Sequence, residues 1–138
     1  MIDGKPLVLF VCLHNAGRSQ MAAAFFNAIA DGTKARAISA GTRPAERVHP
    51  EVADAMRDAG IDVSGSRPQR LTEELARGAT LLITMGCGDE CPYVPGLETD
   101  DWPLEDPKSR PPGEVQRIRD DIRRRVEVLV AARGWRPA

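Results

Sequence analysis

Short apolar runs and helical stripes alternate along the chain, in an order that predicts an α/β fold with a parallel sheet. The runs at 7–12 and 80–85 favour strands buried on both faces, and 34–40 alternates as a second strand does. The proline-rich, acidic segment at 95–112 leaves room for one short edge strand. The predicted helical stripes are Met21, Ala22, Phe25, Phe26 and Ile29; Val52, Ala55, Met56 and Ala59; a short helix from Thr72 to Gly78; and Val115, Ile118, Ile122, Val126, Leu129 and Val130, ending at Gly134.

Length and charge restrict the class of protein. A chain of 138 residues with 42% hydrophobic content suits one core, so we expect a single domain over residues 1–138. The 19 basic and 20 acidic residues nearly cancel, which argues against nucleic acid or an anionic membrane as a partner. The amino terminus lacks the pattern of a signal peptide, and no apolar run approaches the roughly 18 residues of a membrane span. We expect a cytoplasmic monomer.

A cysteine lies where the first predicted strand meets the first predicted helix. Cys12 ends the strand, five residues follow, and Arg18 and Ser19 open the helix. The unpaired N–H groups and positive dipole end of a helix attract an oxyanion, and an arginine can bind two of its oxygens. The same field stabilises a thiolate, so Cys12 is a candidate nucleophile with Ser19 as a hydrogen-bond partner. We name residues 13–19 the anion loop; its predicted oxyanion-binding members are Leu13, His14, Asn15, Ala16, Gly17, Arg18 and Ser19.

An inert core cysteine is the alternative reading of Cys12, since free cysteines are often buried. That reading leaves the following arginine and serine without a role. We therefore favour the anion-binding nucleophile.

Two further cysteines, Cys87 and Cys91, follow the strand predicted at 80–85. Parallel strands end at one rim of a sheet, so this loop should face the anion loop. Glycines on both sides of Cys87 allow its backbone to move, whereas the proline after Cys91 restricts the chain. One alternative is a zinc site, but both histidines that could complete it lie far upstream. Another alternative is that the two thiols have no role. We expect no metal site and a redox relay of three thiols, not a static disulfide.

An aspartate–proline pair, Asp106–Pro107, lies in the acidic segment. From the pattern alone it is an ordinary turn signal. It cannot be separated from Asp100, Asp101 or Glu105 as a candidate acid.

The run from 11 to 22 resembles the active-site loop of low-molecular-weight tyrosine phosphatases and the related arsenate reductases, and its Arg-Ser-Gln-Met ending is closer to the reductases. The resemblance extends nearly end to end, through Ser39–Ala40–Gly41, the cysteine-bearing loop, Asp106–Pro107 and the closing helix. It implies a single-domain, three-layer α/β/α fold with a four-stranded parallel sheet.

The same resemblance implies roles for individual residues. Cys12 would be the nucleophile, Arg18 and the amides of the anion loop would hold the oxyanion, and Asp106 would protonate the departing oxygen. Cys87 and Cys91 would distinguish a reductase from a phosphatase.

The implied activity is reduction of arsenate to arsenite for arsenic detoxification. Cys12 would attack arsenic, Cys87 would attack the adduct, and Cys91 would then form a disulfide with Cys87. No bound cofactor is expected; the electron donor would be thioredoxin, or mycothiol with mycoredoxin. Phosphate and sulfate would compete as oxyanions. Two departures from relatives stand out, because only three residues separate Cys87 from Cys91 and Ala23 replaces an acid that binds potassium in some relatives.

Two other functions remain open. A tyrosine phosphatase would use Cys12, Arg18 and Asp106 and leave the other two cysteines idle. Residues 108–110 are Lys-Ser-Arg, not the tyrosines that line the phosphatase groove in that family, which favours the reductase. A non-enzymatic redox sensor would leave Arg18 and Asp106 without a reason.

Overall fold

A four-stranded parallel sheet forms the centre of the computed structural model, which describes residues 4–87, 91 and 93–138. The strand order is β2-β1-β3-β4. The predicted α/β/α architecture with four parallel strands is confirmed. The elements are β1 (Leu7–Cys12), α1 (Arg18–Ile29), β2 (Arg36–Gly41), α2 (Pro50–Asp58), α3 (Glu73–Gly78), β3 (Leu81–Thr84), β4 (Glu98–Asp101) and α4 (Pro112–Arg133).

The strands occupy the predicted runs with small shifts at their ends. β1 covers 7–12 as expected, and all six of its residues are buried. β2 begins two residues later than predicted, because the N–H groups of Lys34 and Ala35 both donate to Asp31 O in a turn. β4 is the predicted edge strand; its four residues are exposed. The carboxyl-terminal helix ends as predicted, with Gly134 in the left-handed region at φ +73°.

Alternate residues of β1 pack into separate clusters on the two faces of the sheet. Val8, Phe10 and Cys12 belong to the large cluster, which also contains the buried faces of α1, α2 and α4. Leu9 and Val11 belong to a smaller cluster, against which Leu75 of α3 packs. Because side chains alternate along a strand, the sulfur of Cys12 lies on the side of the three longer helices.

The sheet places two loops at one rim. β1 pairs with β2 on one side and with β3 on the other, and in the latter pairing Val11 is opposite Thr84. The connection that follows β1 leads to β2 at one edge of the sheet, whereas the connection that follows β3 leads to β4 at the other edge. In such a sheet, the gap between the carboxyl ends of β1 and β3 is the usual ligand site. Cys12 lies at this point, and the loop after β3 begins beside it with Met85 N donating to Val11 O at 2.8 Å.

The described residues form no helix that is long and apolar enough to cross a membrane.

Candidate active site

The anion loop and the end of β1 turn their carbonyl groups away from the loop's interior. Each carbonyl oxygen of residues 12–17 accepts a hydrogen bond from a neighbouring segment or from the first turn of α1. These bonds hold the loop in one shape. The pairs are Cys12 O with Thr42 N, Leu13 O with Arg43 N, His14 O with Ala45 N, Asn15 O with Gln20 Nε2, Ala16 O with His49 N, and Gly17 O with Met21 N.

The amides of the same loop are left for a ligand. Among residues 4–87, 91 and 93–138, the main-chain N–H groups of residues 14–17 donate to no protein acceptor. They precede the first turn of α1, whose dipole is positive at this end. A loop with its carbonyls bound elsewhere and its amides unsatisfied is suited to an oxyanion.

Asn15 organises the floor of the loop. It is fully buried and has φ +51°, the left-handed region that residues with a Cβ seldom adopt. Its side-chain amide donates to Ser19 Oγ at 2.7 Å, and Oδ1 accepts from Gln69 N at 2.9 Å. Ser19 Oγ lies 2.8 Å from Cys12 Sγ, so its hydroxyl can donate to the sulfur when Cys12 is a thiolate.

Arg18 is buried at 6% exposure and lies between the anion loop and the opposite rim of the site. Its Nη1 donates to Leu104 O at 3.3 Å, and its Nη2 is 3.8 Å from Asp106 Oδ2. A Cβ added to Gly86 would overlap the guanidinium, so the glycine leaves the space that the arginine occupies. The positive charge is therefore fixed beside the mouth of the loop.

Asp106 lies on a segment that joins β4 to α4; residues 103–111 are named the acid segment. The Asp106 side chain is 40% exposed, and its carboxylate faces Arg18 across the site. The Oδ1 atom accepts from Lys108 N at 3.0 Å, and Arg110 Nε donates to the Asp106 carbonyl at 2.7 Å. Of the four acids that the sequence leaves as candidates, this one is ion-paired with Arg18.

The two remaining cysteines form a disulfide, Cys87–Cys91, with their Cα atoms 5.0 Å apart. Cys12 carries a free thiol. Cys87 is 4% exposed and packs in the smaller cluster with Leu9 and Val11, whereas Cys12 belongs to the cluster on the other face of the sheet. Cys91 is only partly buried. Gly88, one of the two glycines that were predicted to free the backbone of Cys87, and Pro92 lie outside the described residues.

One histidine, His14, lies in the anion loop, and the other, His49, lies beside it. The rings of His14 and His49 meet edge to face with their centroids 6.4 Å apart. Burial lowers the pKa of His49 below its ordinary value, and the carboxylates of Glu51 and Asp106 oppose this shift. His49 therefore contributes little positive charge to the mouth of the site near neutral pH. The residues described contain no group of three or more histidine, cysteine, aspartate or glutamate side chains that could hold a metal ion.

Several supporting residues were not singled out from the sequence. Gln20, Gln69 and Glu51 donate to or accept from residues of the site, over separations in the chain of up to 58 residues. Gly86 was expected to free Cys87, and its contact with Arg18 was not anticipated. No local pattern indicates such contacts, because they depend on how the loops meet at the rim.

Replacing Gly86 with alanine is expected to weaken phosphate binding about tenfold or more, because the new methyl group displaces a buried, charge-assisted hydrogen-bond donor. Isothermal titration of the disulfide form with inorganic phosphate measures the change. Gly96→Ala is the matched control: Gly96 has a similar φ of +80°, but a Cβ there meets no atom within 4 Å. Equal phosphate affinities in the two variants would show that Arg18 does not bind the anion from this position.

Replacing Asn15 with alanine is expected to lower the free energy of unfolding by about 2–4 kcal/mol, since it removes buried hydrogen bonds and a residue tolerant of the left-handed region. Denaturant unfolding measures the loss. Asn27→Ala is the control, because Asn27 bonds Ala37 N and O at 2.9 Å from a regular helix position, and a loss of about 1 kcal/mol is expected there. A larger loss at Asn27 would contradict the role given to Asn15.

Comparison with known proteins places this geometry among related chains. Residues 7–133 match the family described as "Low molecular weight phosphotyrosine protein phosphatase". The chain is 35% identical over 121 residues to a putative arsenate reductase from Halobacterium salinarum, covering 85% of each protein. It is 32% identical over 127 residues to arsenate reductase 2 of Staphylococcus epidermidis, covering 89% of this chain and 95% of that protein.

A solved structure is also similar to this chain. The thioredoxin-dependent arsenate reductase of Corynebacterium glutamicum superposes with a TM-score of 0.81 at 38% identity over 96% of this chain. The chain spans 63% of the length of that protein.

Proposed function

The chain belongs to the low molecular weight phosphotyrosine protein phosphatase family, and from this membership we propose that it reduces arsenate to arsenite. One observation carries the proposal: the free Cys12 at the start of the anion loop is accompanied by two further cysteines joined as a disulfide. Hydrolysis of a phosphate ester needs only the first cysteine. Reduction of arsenic needs two electrons, which a dithiol supplies when it becomes a disulfide. The similar chains from Halobacterium, Staphylococcus and Corynebacterium are arsenate reductases by name, which supports this choice.

In the proposed first step, arsenate binds as phosphate would. Amides of the anion loop and the Arg18 guanidinium hold its oxygens, and the thiolate of Cys12 attacks arsenic. An oxygen of arsenate leaves as water, and Asp106 supplies a proton to it. The Ser19 hydroxyl, 2.8 Å from Cys12 Sγ, would donate a hydrogen bond to the attacking thiolate.

The electrons move in the second step. The thiolate of Cys87 attacks the sulfur of Cys12, the sulfur–arsenic bond breaks, and its electron pair stays on arsenic, which leaves as arsenite. A Cys12–Cys87 disulfide remains. Cys91 then attacks Cys87, which releases Cys12 as a thiolate and leaves the Cys87–Cys91 disulfide. The structure therefore corresponds to the form that follows turnover and precedes re-reduction.

The position of Cys87 in this form sets a requirement for the cycle. It packs against Leu9 and Val11 on the face of the sheet opposite to Cys12. For Cys87 to reach Cys12, reduction of the disulfide must release it from that cluster. Gly86, with φ +85°, provides a backbone that can rotate at the start of the loop. Cys91 lines an open groove of about 500 Å³ together with Asp101 and Leu104, so it is the sulfur that a reductant attacks.

We propose thioredoxin as the reductant, because the Corynebacterium relative is thioredoxin-dependent by name. Mycothiol with mycoredoxin is the second candidate, given the short spacing of the two cysteines. A dithiol recycled in this way requires a reducing compartment, so we assign the reaction to the cytoplasm.

Coupled assays test the proposal. The protein is incubated with arsenate, NADPH and one of two reducing systems, either thioredoxin with thioredoxin reductase or mycothiol with mycoredoxin and mycothiol disulfide reductase. Loss of NADPH that depends on arsenate is the expected result. Hydrolysis of an aryl phosphate is measured in parallel. Rapid hydrolysis without arsenate-dependent oxidation of NADPH would assign the protein to the phosphatases instead. If neither activity were detected, the non-enzymatic redox sensor would be the remaining hypothesis.

A further inference from the structure

The acid segment lies over the anion loop without helical or strand structure of its own. Residues 103–111, all of them described, join the exposed strand β4 to α4. Two hydrogen bonds within the segment close a turn around Asp106: Lys108 N donates to Asp106 Oδ1, and Arg110 Nε donates to the Asp106 carbonyl. These bonds shape the turn but do not fix its distance from the anion loop. That distance must be set by contacts to other elements.

One of these contacts is a short hydrogen bond to α2. Ser109 N donates to Glu51 Oε2 at 2.6 Å, across 58 residues of sequence. Ser109 has φ +60°, a left-handed conformation that is unfavourable for a residue with a Cβ. A conformation of this kind persists where surrounding contacts hold it, and the charged acceptor on Glu51 is such a contact.

The helix that carries Glu51 is itself attached to the anion loop. His49, the residue before α2, donates its N–H to Ala16 O at 3.0 Å. A Cβ added to Gly17 would lie 2.9 Å from Pro107 Cγ and 3.6 Å from Val52 Cγ2, so the loop, the acid segment and α2 meet at that point. The amino end of α2 therefore connects the acid segment to the loop that holds Cys12.

We propose that Glu51 is a positioning residue for Asp106: its carboxylate anchors the turn at Ser109 and so holds the acid over the anion loop. This inference rests on the proposed function, because it concerns proton donation to the departing oxygen. Arg18 also contacts the segment, at Leu104 O and at the Asp106 carboxylate, and the Glu51 bond adds an attachment at Ser109, on the other side of Asp106 from Leu104. Glu51 lies in the first turn of α2, where a negative charge is favourable, so the anchor is retained at little cost.

Variants of Glu51 test the proposal by separating anion binding from proton donation. Glu51→Ala is expected to reduce kcat for arsenate about tenfold, in line with misplacement of a catalytic group, and to leave phosphate affinity within about twofold. Glu51→Gln retains an acceptor oxygen and is expected to keep kcat within about threefold of the wild type. Asp54→Ala is the matched control, because it removes a carboxylate from the same helix. Among the described residues, Asp54 forms an ion pair only with Arg57, at 3.1 Å, so no change in kcat is expected.

A double-mutant cycle distinguishes positioning from general damage to the fold. If Glu51 acts through Asp106, adding Glu51→Ala to Asp106→Asn should cause no further loss of kcat. Three results would overturn the inference. They are losses of kcat that multiply in the double variant, an unchanged kcat in Glu51→Ala, and a fall in phosphate affinity as large as the fall in kcat. Should Glu51→Ala not fold, the same cycle is run with Glu51→Met, which also lacks the acceptor oxygen, and judged by the same criteria.

Hydrogen exchange at Ser109 keeps the anchor separate from the activity. The Ser109 amide should exchange faster in Glu51→Ala than in the wild type or in Asp54→Ala. Absence of arsenate turnover in the wild type would remove the proposed function, and accelerated exchange would still establish the anchor. Unchanged exchange would remove the anchor whatever the activity.

Discussion

Replacing Cys12 with serine is expected to reduce arsenate turnover by more than about 10⁴-fold. A serine hydroxyl is far less ionised than a thiol at neutral pH, and it cannot form the disulfide that the second step requires. Arsenite formation in the presence of excess thioredoxin, thioredoxin reductase and NADPH measures the loss.

Phosphate affinity provides the control for this variant. The amides of the anion loop and Arg18 are unchanged, so Cys12→Ser should still bind inorganic phosphate within about threefold of the wild type. If the variant kept more than about 1% of the turnover, the attack on arsenic would have to come from another residue.

Replacing Cys91 with serine is expected to stop the reaction after one arsenite per chain and to lower multiple turnover by at least about 100-fold. Cys12 and Cys87 can still carry out the first two steps, but the disulfide between them has no third thiol to resolve it. Cys12 is only 2% exposed in the structure, so an external reductant should reach its sulfur in that disulfide poorly.

Rapid-quench measurement of arsenite distinguishes the first turnover from later ones, and mass spectrometry of the unreduced variant should detect a Cys12–Cys87 disulfide. Cys87→Ser is the comparison, since it should block even the first arsenite. Sustained turnover of Cys91→Ser with thioredoxin would mean that the reductant attacks the Cys12–Cys87 disulfide directly, and the last step of the relay would be wrong.

Local patterns were sufficient for the first strand, the first helix and the loop between them. The buried run ending in Cys12 and the apolar stripe after Arg18 predicted β1, the anion loop and α1, because strands and helices impose periods of their own on the sequence. The family resemblance supplied the number of strands, and the structure confirms four in parallel.

The rest of the site depended on information that the local pattern does not contain. Asp106 could not be separated from three neighbouring acids, because what distinguishes it is a contact with Arg18, 88 residues earlier in the sequence. The same holds for Gly86 and Glu51, whose partners are set by how loops meet at the rim of the sheet. The face on which Cys87 packs was also beyond reach, since residues after a strand have no fixed alternation.

One measurement tests the central claim, that three thiols convert arsenate to arsenite and end as a Cys87–Cys91 disulfide. The fully reduced protein is mixed with a slight excess of arsenate without any other thiol, quenched, alkylated and digested for mass spectrometry. We predict one arsenite per chain, Cys87 joined to Cys91, and Cys12 alkylated as a free thiol. Three alkylated cysteines with arsenate unchanged would contradict the account.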